Sequence, residues 1–319
     1  MRIITYSWAE YKELSLKASD SLFHSLPFLE NLAIAYRKNI QVFCVYKEEQ
    51  CILSLPVLHQ GRDASLTTHF FYQALLVHEN FSERTFLQAW DLLIAELKVS
   101  FDAIDFKLPP FVLDIRPLTW AGFGQKSYYT ATINLTEPIQ YSENVRRSIK
   151  KAENAGLQVQ VLAFDEDVLK QNIGDMLLHG LGTSEPVAIQ TWMHAAVRMG
   201  QSSMFKLFNA KGAFIGSSIY LHDSKQAYLI SVMGGEEQSG GQAFLYHSAF
   251  EHFKTLGLEK IDLLGANIPS IALYKSKLGS KTESYSIVSY RKSFSRYFFS
   301  YHAKKTLKRV LKSLRIINK

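Results

Sequence analysis

The sequence has little of what would indicate a secreted, membrane-spanning or metal-binding protein. Only two of its 319 residues are cysteines, Cys44 and Cys51, and the N-terminal segment lacks an apolar signal-peptide core. This favours two thiols in a reducing compartment over a disulfide. No apolar run approaches the ~20 residues that span a bilayer. The ten histidines form neither a His-Glu-x-x-His pattern nor a Cys/His set with zinc-ligand spacing. We therefore predict a cytoplasmic protein without a bound metal.

Acidic residues are missing from the C-terminal end. Residues 291–319 hold ten Lys/Arg and no Asp/Glu, which leaves 26 basic and 29 acidic residues for the rest of the chain. Aromatic residues at Phe294, Tyr297, Phe298 and Tyr301 follow helical spacing, so the segment predicts a basic amphipathic helix. Three interpretations stay open. The helix docks on the body with its charges in water, contacts an anionic membrane peripherally from the inner face, or contacts RNA such as a tRNA-borne donor.

Apolar residues make up 47% of the chain, enough for two substantial cores. Gln41–Leu58 and Met204–Leu221 each predict a β-hairpin, in which a charged or polar turn separates two apolar runs. Each hairpin is followed by a predicted helix and then by an apolar strand with the pair Ile-Asp, at Ile104 and at Ile261. We interpret this repetition as two homologous α/β halves and a tail. The predicted boundaries are 1–137, 138–290 and 291–319.

A glycine turn distinguishes the second half from the first. The predicted strand Gln226–Val232 leads through Gln238-Ser-Gly-Gly-Gln-Ala243 into the predicted helix Phe244–Leu256. Glycines just before a helix let backbone N–H groups close on a phosphate, and the helix dipole favours the negative charge. The matching segment of the first half, Glu79–Thr85, has no glycine and two acidic residues besides its arginine. We therefore expect only the second half to bind a phosphate-bearing donor.

The glycine turn and the segment from Asn267 to Tyr274 resemble the acyl-CoA-binding core of the GNAT acetyltransferase superfamily. Ser270 replaces the family's alanine, and the spacing from Tyr274 to Gly279 is one residue longer than in the family. The resemblance implies acyl-CoA, most simply acetyl-CoA, as co-substrate. It implies donor-binding roles for these residues: Val232, Met233, Gln238, Gly240, Gly241, Gln242, Ala243 and Asn267.

Tandem GNAT-like halves resemble the Fem-type (FemAB-like) aminoacyl and peptidyl transferases and the related sugar N-acyltransferases. Leu22–Glu30 is similar to the opening segment of that group, and Phe70–Gln73 to the strand that faces the acceptor. The resemblance thus implies Tyr72 and Gln73 as acceptor-binding residues. It also implies a fold of two tandem GNAT-like domains, each a mixed sheet flanked by helices. A basic tail helix would follow them.

A basic helix opens the second half and resembles the helix found there in the Fem-type group. Ser142 is its predicted N-cap, and Val145, Ile149 and Ala152 form an apolar seam. Its cations are candidates to bind a phosphate or carboxylate of an acceptor such as a nucleotide-linked sugar. The alternative is a face exposed to water. The cations predicted to bind the acceptor are Arg146, Arg147 and Lys150.

Acyl transfer to an amine needs a polarised carbonyl, a base for the amine and a proton for the leaving thiolate. Backbone N–H groups near Val232 would polarise the carbonyl if the strand splays from its neighbour as in the family. We predict Tyr274 as the proton donor, the alternative being a core tyrosine, and Glu236 as the base. Asp262 has a counterpart, Asp105, in the half without the glycine turn, which favours a structural role for Asp262.

The predicted function is N-acyl transfer from acyl-CoA to an amine of a sugar or cell-envelope precursor. An aminoacyl-tRNA-dependent peptidyltransferase is the first alternative. It is less favoured because the second half contains no long charged coiled-coil segment, which tRNA-dependent Fem-type enzymes often carry. The second alternative is a catalytically inactive protein that binds an envelope precursor or a membrane surface.

Overall fold

A computed structural model describes residues 1–14, 21–65, 72–77, 82–179, 186–234 and 240–292. Glu236, Gln238 and residues 293–319 of the predicted tail helix lie outside these ranges, so their assigned roles stay predictions. Within the described ranges, no helix combines the length and the apolar character needed to cross a bilayer.

The described ranges contain nine α-helices and thirteen strands. The helices are α1 (Trp8–Glu13), α2 (Leu26–Tyr36), α3 (Glu83–Ser100), α4 (Arg116–Trp120), α5 (Glu143–Asn154), α6 (Glu166–Leu178), α7 (Pro186–Arg198), α8 (Gly241–Thr255) and α9 (Pro269–Lys277). The strands are β1 (Arg2–Ser7), β2 (Asn39–Lys47), β3 (Gln50–His59), β4 (Asp63–Ala64), β5 (Leu76–Val77), β6 (Ala103–Leu108), β7 (Gly124–Asn134), β8 (Gln158–Leu162), β9 (Ser202–Phe208), β10 (Phe214–His222), β11 (Gln226–Gly234), β12 (Lys260–Asp262) and β13 (Lys281–Arg291).

The strands form a four-stranded sheet in the order β1-β2-β3-β5 and a nine-stranded sheet in the order β4-β6-β13-β7-β12-β11-β10-β9-β8. The larger sheet is mixed, because β11 and β12 are parallel whereas β10 and β11 are antiparallel. Helices flank both sheets, which confirms the predicted α/β class. The two predicted halves share this sheet. β13 of the second half lies between β6 and β7 of the first half and pairs antiparallel with both.

Local signals in the sequence account for several of these elements. Both predicted hairpins form, as β2–β3 and β9–β10. Ser142 caps α5, where its Oγ accepts a hydrogen bond from the Val145 N–H at 3.4 Å. The predicted seam of Val145, Ile149 and Ala152 is buried, and the charged residues of α5 lie on its exposed face. The N-cap and the apolar period therefore determine both the start of α5 and the side it buries.

The hydrophobic residues form three cores, one of which joins the two halves. In that inter-half core, α2 packs against α7, and the Phe28 and Trp192 rings lie 6.3 Å apart, edge to face. Full burial of one such phenylalanine contributes about 1.5–3 kcal/mol. Cys44 and Cys51 are free, buried thiols in the same core. The second core lies under α5 and α8, and the third lies under α3.

Candidate active site

A gap opens in the larger sheet where β11 and β12 diverge. The two strands pair only from Gln226 to Tyr228 on one side and from Lys260 to Asp262 on the other. β11 continues along β10 as far as Gly234, and among the described residues no strand pairs with its other edge beyond Tyr228. The predicted donor-binding residues Val232 and Met233 lie on this free edge. The splay that their predicted role requires is therefore present.

A β-bulge bends β11 beside the gap. Ile219 of β10 lies opposite Ser231, whereas the next residue, Tyr220, lies opposite Leu229. Ile230 is therefore the extra residue on β11. Bulges increase the local twist and re-aim the backbone groups of a strand, which suits an edge that must approach a ligand.

The glycine turn lies at the start of α8, at the end of the chain segment that follows β11. Gly240 is the N-cap residue, with φ +74°, and it has no side chain that would compete with an anion for the first-turn N–H groups. A Cβ on Gly240 would lie 2.2 Å from the Ser148 carbonyl oxygen of α5. Gly241 and Ala243 are buried and Gln242 is half-buried. Glycine at position 240 is thus required by the close packing of α5 on α8 as well as by the turn.

The cations of α5 lie on the helix that packs against the glycine turn. Arg146, Arg147 and Lys150 are exposed, and Arg147 forms an ion pair with Glu143. Because Ser148 of the same helix touches Gly240, α5 lies against the glycine turn of the predicted donor site. The predicted acceptor residue Tyr72, by contrast, lies in the inter-half core. The two sets of predicted acceptor residues therefore differ in their surroundings, since Tyr72 is buried and the three cations are exposed.

Asn267 and Tyr274 lie beyond β12, on the other side of the gap from β11. The Asn267 side chain brackets Tyr129 of β7: its Oδ1 accepts from the backbone N–H at 2.8 Å, and its Nδ2 donates to the carbonyl at 3.1 Å. Tyr274 is half-buried on α9, and its ring centroid lies 6.0 Å from that of Tyr246 on α8. Tyr274 thus joins α9 to the helix that begins with the glycine turn.

A buried carboxylate lies where the gap begins. Asp262, which is 1% exposed, accepts hydrogen bonds from the Tyr72 hydroxyl at 2.8 Å, from the Thr130 hydroxyl and from the Leu264 N–H at 2.7 Å. Burial raises the pKa of Asp262, and these hydrogen bonds oppose that rise. Tyr72 comes from the first half, so this network joins the halves at the start of the gap.

Asp262 and its counterpart Asp105 differ in environment. Asp105 forms an ion pair with Arg291 at 2.6 Å near the other end of the sheet. The matching position in the two halves therefore does not carry the same interaction.

Two further tyrosines and a lysine lie beside this network. The Tyr285 ring lies edge to face with Tyr72 at 5.5 Å and stacks on Tyr128 at 5.8 Å. The Lys107 Nζ lies 6.0 Å from the Tyr285 centroid. Burial lowers the pKa of Lys107 to about 8, although nearby Asp262 favours the charged form. The predicted acceptor residue Gln73 donates its side-chain amide to the Pro56 carbonyl and is buried.

By sequence, no protein-family profile and no curated protein matches this chain. By structure, it is similar to FemX, with a TM-score of 0.63, 11% identity and coverage of 94% of this chain and 99% of FemX. It is similar to the C-terminal domain of a putative lysylphosphatidylglycerol synthetase from Agrobacterium fabrum, with a TM-score of 0.55, 18% identity and coverage of 94% and 98%. A tandem GNAT protein from the clavulanic acid biosynthesis pathway gives a TM-score of 0.52, 12% identity and coverage of 92% and 99%. The chain has a Fem-like tandem GNAT fold.

Within this tandem GNAT fold, the first half has a different helix start at the place of the glycine turn. Ser82 is the N-cap of α3, and its Oγ accepts from the Thr85 N–H at 3.3 Å. Glu83 adds a negative charge in the first turn. A side chain and a carboxylate therefore already take the favourable interactions that an anion would make there. The start of α3 is therefore less suited to a phosphate than the start of α8; binding by the second half alone stays a prediction.

Sequence reasoning missed Thr130 and Lys107 as members of the site. One signal was available for Lys107, because it interrupts the apolar strand β6 just before two prolines. A lysine in such a strand is usually exposed, so one in an otherwise apolar strand indicates a specific environment. Thr130 gives no such signal, because threonine is common in strands.

The pKa of Lys107 predicts a pH-dependent stability. Its folded pKa of about 8 is below the usual lysine value of 10.5, so between these values the unfolded chain binds more protons. Stability therefore rises with pH as Lys107 loses its proton in the folded state, by about 1 kcal/mol between pH 7 and pH 9. Urea unfolding of the wild type and of Lys107→Met at both pH values measures this. The unfolding free energy of the wild type minus that of the variant should increase with pH. A difference that does not change with pH contradicts the lowered pKa of Lys107.

Proposed function

We propose that the protein transfers an acyl group from coenzyme A to an amine, at the gap between β11 and β12. The observation that carries this proposal is the divergence of β11 from β12 in the same half in which a glycine N-cap starts α8. A free strand edge and a helix start without a capping side chain suit a thioester and a pyrophosphate, respectively. The first half has a side-chain cap on the corresponding helix.

In the proposed reaction, the amine forms a C–N bond to the acyl carbonyl and the C–S bond of the thioester breaks. N–H groups on the free edge of β11, near Val232 and Met233, polarise the carbonyl as negative charge develops on its oxygen. The leaving thiolate takes a proton from Tyr274, and the amine loses its proton to Glu236. Tyr274 is supported by its position on α9 beside α8, whereas Glu236 is supported by the sequence alone.

We propose that the acceptor enters from the inter-half side. The half-buried rings of Tyr128 and Tyr285 lie there, Tyr285 packs on the buried Tyr72, and Lys107 adds a cation. Aromatic rings and a nearby cation together suit a sugar that carries a phosphate, since ligand sites combine apolar faces with a few polar groups. This composition supports a sugar or cell-envelope precursor as the acceptor class.

The proposal predicts a selective loss of donor binding in Gln242→Glu. This nearly isosteric change adds a negative charge to the first turn of α8. The helix dipole stabilises that charge, so the fold is kept, but the charge repels a pyrophosphate. We expect the affinity for acetyl-CoA, measured by titration calorimetry, to fall at least about tenfold while thermal stability is kept. Gln171→Glu, the same change on the exposed face of α6, is the control and should leave the affinity unchanged. Equal affinity in wild type and Gln242→Glu would contradict the phosphate site.

A second candidate donor is an aminoacyl-tRNA. The similarity to FemX and to a putative lysylphosphatidylglycerol synthetase supports it, together with the resemblance to Fem-type aminoacyl transferases. Activity that persists without coenzyme A and disappears after ribonuclease treatment would select this donor. Activity that requires acetyl-CoA and resists ribonuclease would reject it.

A further inference from the structure

The loop after β12 departs from β11 but stays on β7. The Leu263 N–H donates to the Ala131 carbonyl at 2.8 Å, and the Ala266 N–H donates to the Tyr129 carbonyl at 3.0 Å. Between them Leu264 has φ +54°, in the left-handed region that a leucine seldom adopts. Such a conformation persists only where the surrounding structure enforces it. The loop that forms one wall of the gap is therefore strained.

The turn at Leu264 takes three consecutive carbonyls out of strand pairing, and one side chain binds all of them. The Lys275 Nζ donates to the carbonyls of Leu263 at 2.8 Å, Leu264 at 2.5 Å and Gly265 at 3.0 Å. An ammonium group has three protons, so these bonds use its full donor capacity. Lys275 is 7% exposed, and burial lowers its pKa to about 8, against the opposing effect of Asp262. A buried charge in this position is tolerated because its hydrogen bonds are satisfied.

Lys275 lies between two other attachments of the same loop. On one side, the Leu264 N–H donates to Asp262; on the other, Asn267 brackets Tyr129. Those two attachments bind the loop to its own strand and to β7. Lys275 binds it to α9, the helix that carries Tyr274.

We propose that Lys275 is a positioning residue that holds loop 263–267 away from β11 and so keeps the donor gap open. This rests on the proposed function for the donor, but the effect on the loop does not. Without the ammonium group, three carbonyls lose their partner and the left-handed turn loses the contact that enforces it. The loop then relaxes toward the free edge of β11 and competes with the thioester for it.

Hydrogen–deuterium exchange tests the structural part in the full chain. In Lys275→Met we expect exchange at the Leu264 and Ala266 amides to increase at least about tenfold, while exchange in the β9–β10 hairpin stays at the wild-type level. Lys254→Met, the same substitution on the exposed face of α8, is the control and should change neither. Lys275→Gln keeps two donors on a shorter side chain and should be intermediate, which preserves the test if Lys275→Met folds poorly.

Calorimetric titration with acetyl-CoA tests the functional part. We expect Lys275→Met to weaken binding at least about tenfold, Lys275→Gln to weaken it less, and Lys254→Met to leave it unchanged. Unchanged exchange at Leu264 and Ala266 overturns the proposal. So does increased exchange with wild-type affinity, because the loop would then be held by Lys275 without affecting the gap. If the wild type itself binds no acetyl-CoA, the proposed donor is wrong, and the exchange data still decide whether Lys275 holds the loop.

Discussion

Replacing Gly240 with alanine is expected to destabilise the protein by about 2–5 kcal/mol and to abolish donor binding. The new Cβ would lie 2.2 Å from the Ser148 carbonyl oxygen and 3.1 Å from the Ser148 Cα, and both are backbone atoms. Relief requires a shift of α5, whose Val145 and Ile149 side chains are packed in the second core. The positive φ of Gly240 adds a further penalty for any residue with a Cβ. A displaced α5 or α8 would in turn distort the helix start that we propose for the pyrophosphate.

Urea unfolding of Gly240→Ala beside Gly257→Ala separates the clash from the backbone penalty. Gly257 follows the other end of the same helix, has φ +78° and would place its Cβ in open space. Gly257→Ala should therefore cost only about 1 kcal/mol and leave acetyl-CoA binding intact. Equal losses of stability in the two variants would show that the contact with Ser148 does not matter. A stable Gly240→Ala protein that still binds acetyl-CoA would contradict the geometry of the turn.

Asp262→Asn is expected to cost about 3 kcal/mol of unfolding free energy. The carboxylate accepts from the Tyr72 hydroxyl, the Thr130 hydroxyl and the Leu264 N–H, and an amide would turn its own NH₂ group toward one of these donors. The variant would also remove the negative charge near Lys107 and Lys275. Because Tyr72 and Asp262 are in different halves, we further expect the packing of the two halves to loosen.

Thermal and urea unfolding of Asp262→Asn, Tyr72→Phe and the double variant measures this coupling. The loss in the double variant should be smaller than the sum of the two single losses, because Tyr72→Phe removes the hydrogen bond that Asp262→Asn weakens. Asp102→Asn is the control: its ion pair with Arg62, at 3.0 Å, is about half exposed on both sides and should contribute less than about 1 kcal/mol. Additive losses in the double variant would contradict an energetic coupling between Tyr72 and the Asp262 carboxylate.

Local patterns in the sequence determined much of this fold. Two hairpins, the Ser142 N-cap with its buried seam on α5, and the glycine start of α8 each depend on residues close together in the chain. Short-range signals of this kind act through backbone conformation and apolar periodicity, so they can be recognised in the sequence without the tertiary structure. The same signals predicted which half has a helix start suited to an anion.

The tertiary structure alone decided how these elements make a site. The insertion of β13 between β6 and β7 has no local signal, because a strand can pair with any compatible edge. The bond between Tyr72 and Asp262 joins residues far apart in sequence, and so does the contact of Gly240 with Ser148. Lys275 stands in a polar segment that resembles an exposed helix face. In the structure it is buried, and its ammonium group donates to three carbonyls at the turn where Leu264 has a left-handed conformation. Composition and period determine which residues are apolar and where chains turn. Which buried polar groups form hydrogen bonds with each other depends on the packing of elements that are distant in sequence.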